Sequence, residues 1–455
     1  MKTELKAGAL SLFESVVMGV AGSAPGYTIA VTTAVLLGVA GRLSAGALLI
    51  FAVPMLGIAV AYKALNRRHV HAGAAYQWTT IYFGRFMGFF SGWALLVASM
   101  IFMVTGSLPL ATATLDFIDP ALADHVVLSA AIASLWFLAV AVVLIVGIKV
   151  TSGVQVVMTS IELIILTVIL IAAFLHAANT GPANAFSWSW LGFGYSPATF
   201  AASALVVVFF YWGWDVTSNL GEETVDGSEN AGNGGFVSVF ITIAYYVAFV
   251  FAAVFLFSLK DAKGFNANII YNIAAASGLG RAGGLFASGA VILSSIATLE
   301  TTMLQFSRML FAMGRDGAMP TAFGFVDART QTPVRAMLVL ISVGLLLVWG
   351  SSLMPTVHQI ILDSVNAVGV LVAYYYGLAG LAAGWVFRDA YRDSFLRWLG
   401  AAVFPALSGL LLIVLGIYAI TTFDLVTNIV GVGGLIAGIV FFRPRPRVTP
   451  LAIAS

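Results

Sequence analysis

Val16-Val17-Met18-Gly19-Val20-Ala21-Gly22-Ser23-Ala24-Pro25-Gly26-Tyr27-Thr28-Ile29-Ala30-Val31 reads as a membrane helix interrupted at its centre. The residues on both sides are almost all apolar. The five from Gly22 to Gly26 are small, helix-breaking or both. Pro25 removes a backbone donor, and glycine weakens a helix on either side of it. A backbone group freed in hydrocarbon costs several kcal/mol, so such a break survives only where protein or a wet cavity surrounds it. The stretch therefore predicts a span that opens onto a site. Gly22, Ser23, Ala24 and Gly26 are its first candidate substrate-binding residues.

The rest of the chain fits a membrane setting. Hydrophobic residues make up 61% and charged residues 9%, where a soluble domain carries roughly a quarter charged. Mean hydropathy is +1.02. Apolar runs of about 20 residues recur, long enough to cross a bilayer. They lack the alternation of an outer-membrane barrel, so the expected class is an all-α polytopic membrane protein. Twelve transmembrane helices are predicted, at 11–39, 44–65, 86–112, 126–148, 151–176, 198–221, 234–258, 282–313, 334–353, 357–387, 400–421 and 425–443. No polar stretch is long enough to fold alone, so 1–455 reads as one transmembrane domain. Lys2 and Lys6 before an apolar run imitate a signal peptide, but Glu14 interrupts that run and the apolar stretch resumes beyond Pro25.

Several function classes fall away. There are no cysteines, which removes disulfides and thiolate metal sites. The five histidines, at 69, 71, 125, 176 and 358, scatter toward helix ends and suggest no metal site. No phosphate loop, His-Glu-x-x-His pair or Gly-x-Ser-x-Gly elbow occurs, so ATP-driven transport and the common hydrolases lose support. No enzyme activity and no cofactor are expected. A net charge of +2 carries no message about nucleic acid.

Charge distribution sets the expected orientation. With the N-terminus inside, only Arg42, Lys260, Lys263 and Arg281 of the twenty-one Lys and Arg fall outside, leaving seventeen inside. That asymmetry predicts both termini cytoplasmic and an even helix count. Gly73–Gly84 is too short and polar to span and is expected at the cytoplasmic surface. Phe186–Tyr195, with Trp188 and Trp190, reads as an aromatic belt at the outer interface. The loop Gly264–Gly280 is either a short helix over the vestibule or an ordinary loop.

A second interruption lies in the sixth span, at Phe209-Phe210-Tyr211-Trp212-Gly213-Trp214-Asp215-Val216-Thr217-Ser218-Asn219. Gly and Asp in mid-span, followed by Thr, Ser and Asn, suit no plain lipid-facing helix. Two interrupted helices five spans apart predict an inverted repeat, with halves at about 11–176 and 198–387 and two extra helices at 400–443. Paired breaks of this kind point to a midplane binding site.

These residues carry a resemblance. The first break, Trp212-Gly213-Trp214-Asp215 with Gly221-Glu222-Glu223-Thr224, the Ala72–Trp93 segment, and Ser307–Pro320 followed by Thr332-Pro333 resemble the amino acid–polyamine–organocation permeases. The resemblance runs in order from the first helix into the ninth. It implies a five-plus-five inverted-repeat (LeuT-like) fold with helices 1 and 6 broken. It also implies alternating access and a substrate held between helices 1, 3, 6, 8 and 10. Phe209 matches the family's aromatic gate.

Physical reasoning assigns the two breaks different tasks. Freed amides at a half-helix N-terminus suit a carboxylate, and Ser23, Ala24 and Gly26 are placed to supply them. At the second break, freed carbonyls suit an ammonium group, and Phe209, Tyr211, Trp212 and Trp214 offer aromatic walls. Gly213 and Asp215 complete the candidate substrate set. Asp215 is an ionisable group in a membrane helix; it either contacts a cationic substrate, couples to protons, or braces the unwound backbone.

Glu162 and Glu300 are two further acids in spans. Facing lipid at mid-depth, each would cost roughly 2.5–3.5 kcal/mol, so both are expected to face protein or water. A buried carboxyl able to take up and release a proton is a coupling candidate. Relatives often carry lysine at the position of Glu162 and asparagine at that of Glu300, so this chain departs from the pattern at both. Two acids at one locus would bind a cation or share a proton, with Thr298, Ser294 and Ser295 as added oxygen ligands. If they lie apart, a structural pair with Arg or Lys is the alternative. The sequence thus predicts a carrier in the inner (plasma) membrane that moves an amino acid or related amine, driven by protons, with sodium as second choice. A polyamine or organic-amine permease is the runner-up, and an ion channel the alternative of another class.

Overall fold

The computed structural model describes residues 4–118, 122, 125–192, 194–265, 269–354 and 356–443. Lys2, Arg445 and Arg447, three of the basic residues placed inside, lie outside them, as does part of the 264–280 loop.

The first predicted span is two helices, α1 (Leu12–Ser23) and α2 (Pro25–Ala40). Then follow α3 (Ser44–Arg68), the short α4 (Ala75–Phe83), α5 (Arg85–Asp116), α6 (Val126–Val146) and α7 (Ile148–Thr180). The second half opens with α8 (Pro197–Phe210), the single turn α9 (Val216–Asn219) and α10 (Gly227–Leu256). It continues through α11 (Leu259–Gly264), α12 (Ile269–Ala274), α13 (Gly280–Arg315), α14 (Val334–Ser351) and α15 (Val357–Val386). The chain closes with α16 (Phe395–Trp398), α17 (Phe404–Thr422) and a last helical stretch from Leu425 to Phe441. The predicted spans fall largely on helical residues, although the one at 198–221 also takes in the unwound stretch from Tyr211 to Asp215.

Nine segments among the described residues are long and apolar enough to cross a membrane, the first of them, Leu12–Arg68, taking in the first two predicted spans. The sixth predicted span is not one of them, because the second break cuts it after Phe210. The last, Leu425–Phe441, falls short on length and contains a π-turn at Ile429–Gly433. The only isolated β-bridge among the described residues joins Leu10 to Thr224. Through it the segment before α1 is stitched to the segment that follows α9, with Ala9 and Leu10 both donating to the Glu223 carbonyl.

Two interrupted helices meet at the centre. α1 packs on α7, α10 and α13, while α15 packs on α3, α5 and α17. The outer faces of α6 and α7 expose a run of apolar side chains, among them Leu135, Val142, Val157, Ile164 and Ile171, as lipid-facing helices do.

Three sequence expectations need adjusting. The 73–84 segment is not merely superficial: α4 inserts Tyr76 and Trp78 into the core, and Trp78 meets Tyr62 edge-on at 5.0 Å. Trp188 is exposed as an interface residue should be, but Trp190 is buried against Phe251 and Phe255. Within 264–280, Ile269, Ile270 and Ile273 of α12 are buried, so the described part is a docked helix.

Candidate functional site

The first break is one residue wide. Ala24 alone leaves the helical region, at φ 47 and ψ 70. A side chain in that left-handed conformation is held against a preference of roughly 1–3 kcal/mol. Pro25 opens α2 at a position where its missing donor costs nothing.

Every backbone group that the break frees has a partner. On the α1 side, the Ala24 amide donates to the carbonyls of Val20 (2.9 Å) and Ala21 (3.2 Å). Thr298 of α13 donates to the Gly22 carbonyl at 3.1 Å. Tyr246 of α10 and Thr28 donate to the Ser23 carbonyl at 2.6 and 2.9 Å. On the α2 side, Pro25 has no N–H. The Gly26 amide donates to Glu162 Oε1 at 2.8 Å, and the Tyr27 amide to Ser294 Oγ at 3.0 Å. The Thr28 amide donates to the Ala24 carbonyl at 2.8 Å.

This corrects the expectation that the amides of Ser23, Ala24 and Gly26 stand free. Ser23 belongs to α1, and its hydroxyl donates to the Gly19 carbonyl. Ala24 caps α1, and Gly26 is already held by a carboxylate from α7. That carboxylate sits at the positive end of a half-helix, where the helix dipole favours negative charge. Its other oxygen, Oε2, has no hydrogen-bond partner. The buried hydroxyls of Thr159 on α7 and Ser295 on α13 also lack partners.

The second break runs from Tyr211 to Asp215, with Gly213 at φ +102. Here side chains rather than backbone do the bridging. Asp215 is fully buried and accepts three hydrogen bonds: from Gln305 Nε2 (2.7 Å), Tyr376 (2.8 Å) and Tyr375 (3.1 Å). Trp212 Nε1 donates to the Tyr375 hydroxyl at 2.6 Å, and Gln305 also reaches Asn219 at 3.2 Å. Tyr211 donates to the Leu48 carbonyl at 3.0 Å. Trp214 packs on Tyr62 and Tyr376, with ring centroids 5.2 and 5.6 Å apart, while its indole N–H is unpartnered. Phe209 is buried beside Trp212, which also meets Phe102 edge-on at 5.1 Å.

The two breaks touch through backbone. A Cβ on Gly22 would lie 2.2 Å from the Gly213 carbonyl oxygen, and one on Gly213 would lie 2.2 Å from that of Gly22. Only a pair of glycines permits this approach.

The predicted residues therefore gather at one place, with one exception. Glu162, Thr298 and the first break form one cluster; Asp215 and its aromatic neighbours form the adjoining one. Glu300 belongs to neither. It lies on another face of α13, looking toward α6 and α7, and both its oxygens are unpartnered. The two acids do not share a locus, and among the described residues neither has an Arg or Lys partner.

The structure also brings in residues that the sequence reading passed over. Tyr375, Tyr376 and Gln305 complete the Asp215 network. The Tyr374-Tyr375-Tyr376 run in a span was the available signal. Glu223 and Arg308, read as a loop acid and an inside-facing base, are a fully buried bidentate pair at 2.8 and 2.9 Å. Two turns further along α13, Arg315 pairs with Glu222 at 2.6 Å, and Glu222 accepts from the Ala72 amide at 2.8 Å. Burial pushes the Glu222 carboxyl up, but its hydrogen bonds and charge contact with Arg315 outweigh this and hold it below the usual range. Among the described residues no cluster of His, Cys, Asp or Glu suits a metal ion.

Residues 10–442 match the amino acid permease family model. The cationic amino acid transporter 4 (vacuolar) of Arabidopsis thaliana is 27% identical over 80% of this chain, which spans 61% of that protein's length. The low-affinity putrescine importer PlaP of Escherichia coli is 25% identical over 77% of this chain and 76% of its own length. A crystal structure of a mutant manganese transporter from Eremococcus coleocola superposes with a TM-score of 0.60 at 14% identity. It covers 94% of this chain and 93% of its own, which establishes a shared fold.

Proposed function

The chain belongs to the amino acid permease family, and from that premise we propose that it carries a small organic amine by alternating access, driven by protons. The observation that carries the choice of substrate is the filled N-terminus of α2. An amino acid would present its carboxylate to free amides there. In this chain Pro25 offers none, and Gly26, Tyr27 and Thr28 are bonded internally. Glu162 takes the place that a substrate carboxylate would occupy. An amine without a carboxylate has no need of that place. Its ammonium group suits the buried Asp215 carboxylate and the rings of Trp212, Tyr375 and Tyr376.

Glu162 is also the proposed proton carrier. Ionised, its carboxylate holds the Gly26 amide by a charge-assisted bond; protonated, it holds that amide less tightly. Proton uptake would thus loosen α2 from α7 and let the touching glycines part. Glu162 faces no Arg or Lys that would fix its charge. The inner membrane, with both termini cytoplasmic, is the proposed location.

The test uses matched pairs in proteoliposomes: putrescine against ornithine, and cadaverine against lysine. In each pair the amine should compete for counterflow at least tenfold better than its carboxylated partner. Equal or better competition by the amino acids would overturn the amine assignment. Flux that neither saturates nor shows counterflow would overturn the carrier reading in favour of a channel. A second reading, transport of an amino acid, is favoured by the family model itself. It requires the substrate carboxylate to displace Glu162 from Gly26, in which case Glu162→Ala should improve amino acid competition rather than abolish uptake.

A further inference from the structure

A cavity of about 120 Å³ lies between α6, α7 and α13, away from both breaks. Its walls are hydrocarbon and indole: Trp136, Val140 and Val143 from α6, Val154 and Met158 from α7, and Ile296 from α13. The single charged group is Glu300, only 2% exposed, with both carboxylate oxygens lacking any hydrogen-bond partner. Ala139 and Val154, also on the lining, are exposed on the apolar outer face of the bundle, so the space communicates with lipid.

Such a carboxyl needs an explanation, because an unpaired buried polar group costs free energy. Water is a poor answer. A buried water is held by two to four polar partners, and hydrocarbon-lined cavities of comparable size stay dry and take up small apolar molecules. The residues fit a ligand with two unlike ends. An ammonium head would pair with Glu300 and lie within reach of the indole of Trp136, whose Nε1 is anchored to Thr114 at 3.0 Å. A short alkyl or aryl body would fill the space among the valines and Met158.

We propose that this cavity is a second binding site, separate from the paired breaks, for a small lipophilic ammonium ion that enters from the bilayer. This site stands apart from the transport reading. Its assignment rests on the coincidence of an unpartnered buried carboxyl, an apolar chamber of ligand size and an opening to lipid. Its occupant would bridge three helices that frame the first break's support: α7 carries Glu162, and α13 carries Ser294 and Thr298.

The experiment is fluorine NMR of 4,4,4-trifluorobutylammonium with the full chain in lipid nanodiscs. A bound resonance should appear, with affinity reduced at least tenfold by Glu300→Gln and by Val143→Trp, which fills the chamber. Asp215→Asn should leave that resonance in place, and 4,4,4-trifluorobutanol should bind at least tenfold more weakly than the amine. A resonance insensitive to both cavity variants, or one lost only in Asp215→Asn, would overturn the proposal. Equal binding of the alcohol would overturn its ammonium specificity.

Discussion

The two breaks solve the same problem in opposite ways. At the first, one residue leaves the helix, and other helices send side chains in to satisfy its backbone: Thr298, Tyr246, Glu162 and Ser294. At the second, five residues unwind and send their own side chains outward, with Asp215 and Trp212 meeting Tyr375, Tyr376 and Gln305. The first is thus a joint read through main-chain atoms, where small side chains matter mostly for what they leave open. The second is a joint read through side-chain chemistry. Substitutions should therefore act through volume at one and through charge at the other.

The largest effect should come where the two breaks share an atom-to-atom contact. Gly22→Val places a branched side chain against the Gly213 carbonyl, and overpacking of this kind costs about 1–3 kcal/mol. Uptake should fall to background while the protein still inserts and elutes as wild type. Retention of more than about a tenth of normal uptake would show that the breaks need not touch. Ser23→Leu, buried in the same wall, should behave alike.

Next in size is Asp215→Asn. Three groups donate to this carboxylate, and an amide can accept only on its oxygen. An unsatisfied buried donor costs about 1–3 kcal/mol, so the apparent KM for an amine should rise about tenfold or more. A neutral amino acid, if carried, should be affected less. Equal shifts for both would erase the contrast between a charge-reading and a volume-reading break.

Glu162→Gln should be milder in counterflow and specific in its signature. Glutamine keeps an oxygen for the Gly26 amide but cannot take up a proton. Exchange should persist while the response of net uptake to a pH gradient flattens. A gradient response equal to wild type would remove Glu162 from coupling.

The smallest effect lies outside the breaks, at the Glu222–Arg315 pair. Its carboxyl is held below the usual range, so the pair contributes stability above the ordinary glutamate range and loses it as pH falls through the lowered value. Melting temperature measured from pH 7 down to pH 3 should drop more steeply in wild type than in Glu222→Gln, with a difference of a few degrees at most.

How much of this was legible follows from where the information sits along the chain. Both interruptions were visible because a proline, glycines and an aspartate within an apolar run are local facts. The spans were visible for the same reason. Their partners were not. Gly26 and Glu162 are 136 residues apart, and Asp215 and Tyr376 are 161 apart. Which helix faces which is settled by packing, and no residue announces it alone. Hence Glu162 was recognised as a buried acid without its task, and Glu300 was grouped with it although the two occupy different faces. Arg308 was counted as an inside-facing charge because sequence shows its position in a helix, not that Glu223 awaits it.

That buried pair has a consequence for how the chain is made. An arginine delivered to the bilayer within α13 carries an insertion cost of roughly 2.5–3.5 kcal/mol if it meets lipid. Glu223 precedes it by 85 residues, so the acid has left the ribosome first, in the turn that follows α9. Leu10, before α1, is bridged to the acid's neighbour Thr224. Synthesis from the N-terminus thus supplies Arg308 with a receptor made earlier, and at this pair the order of the chain becomes an order of assembly.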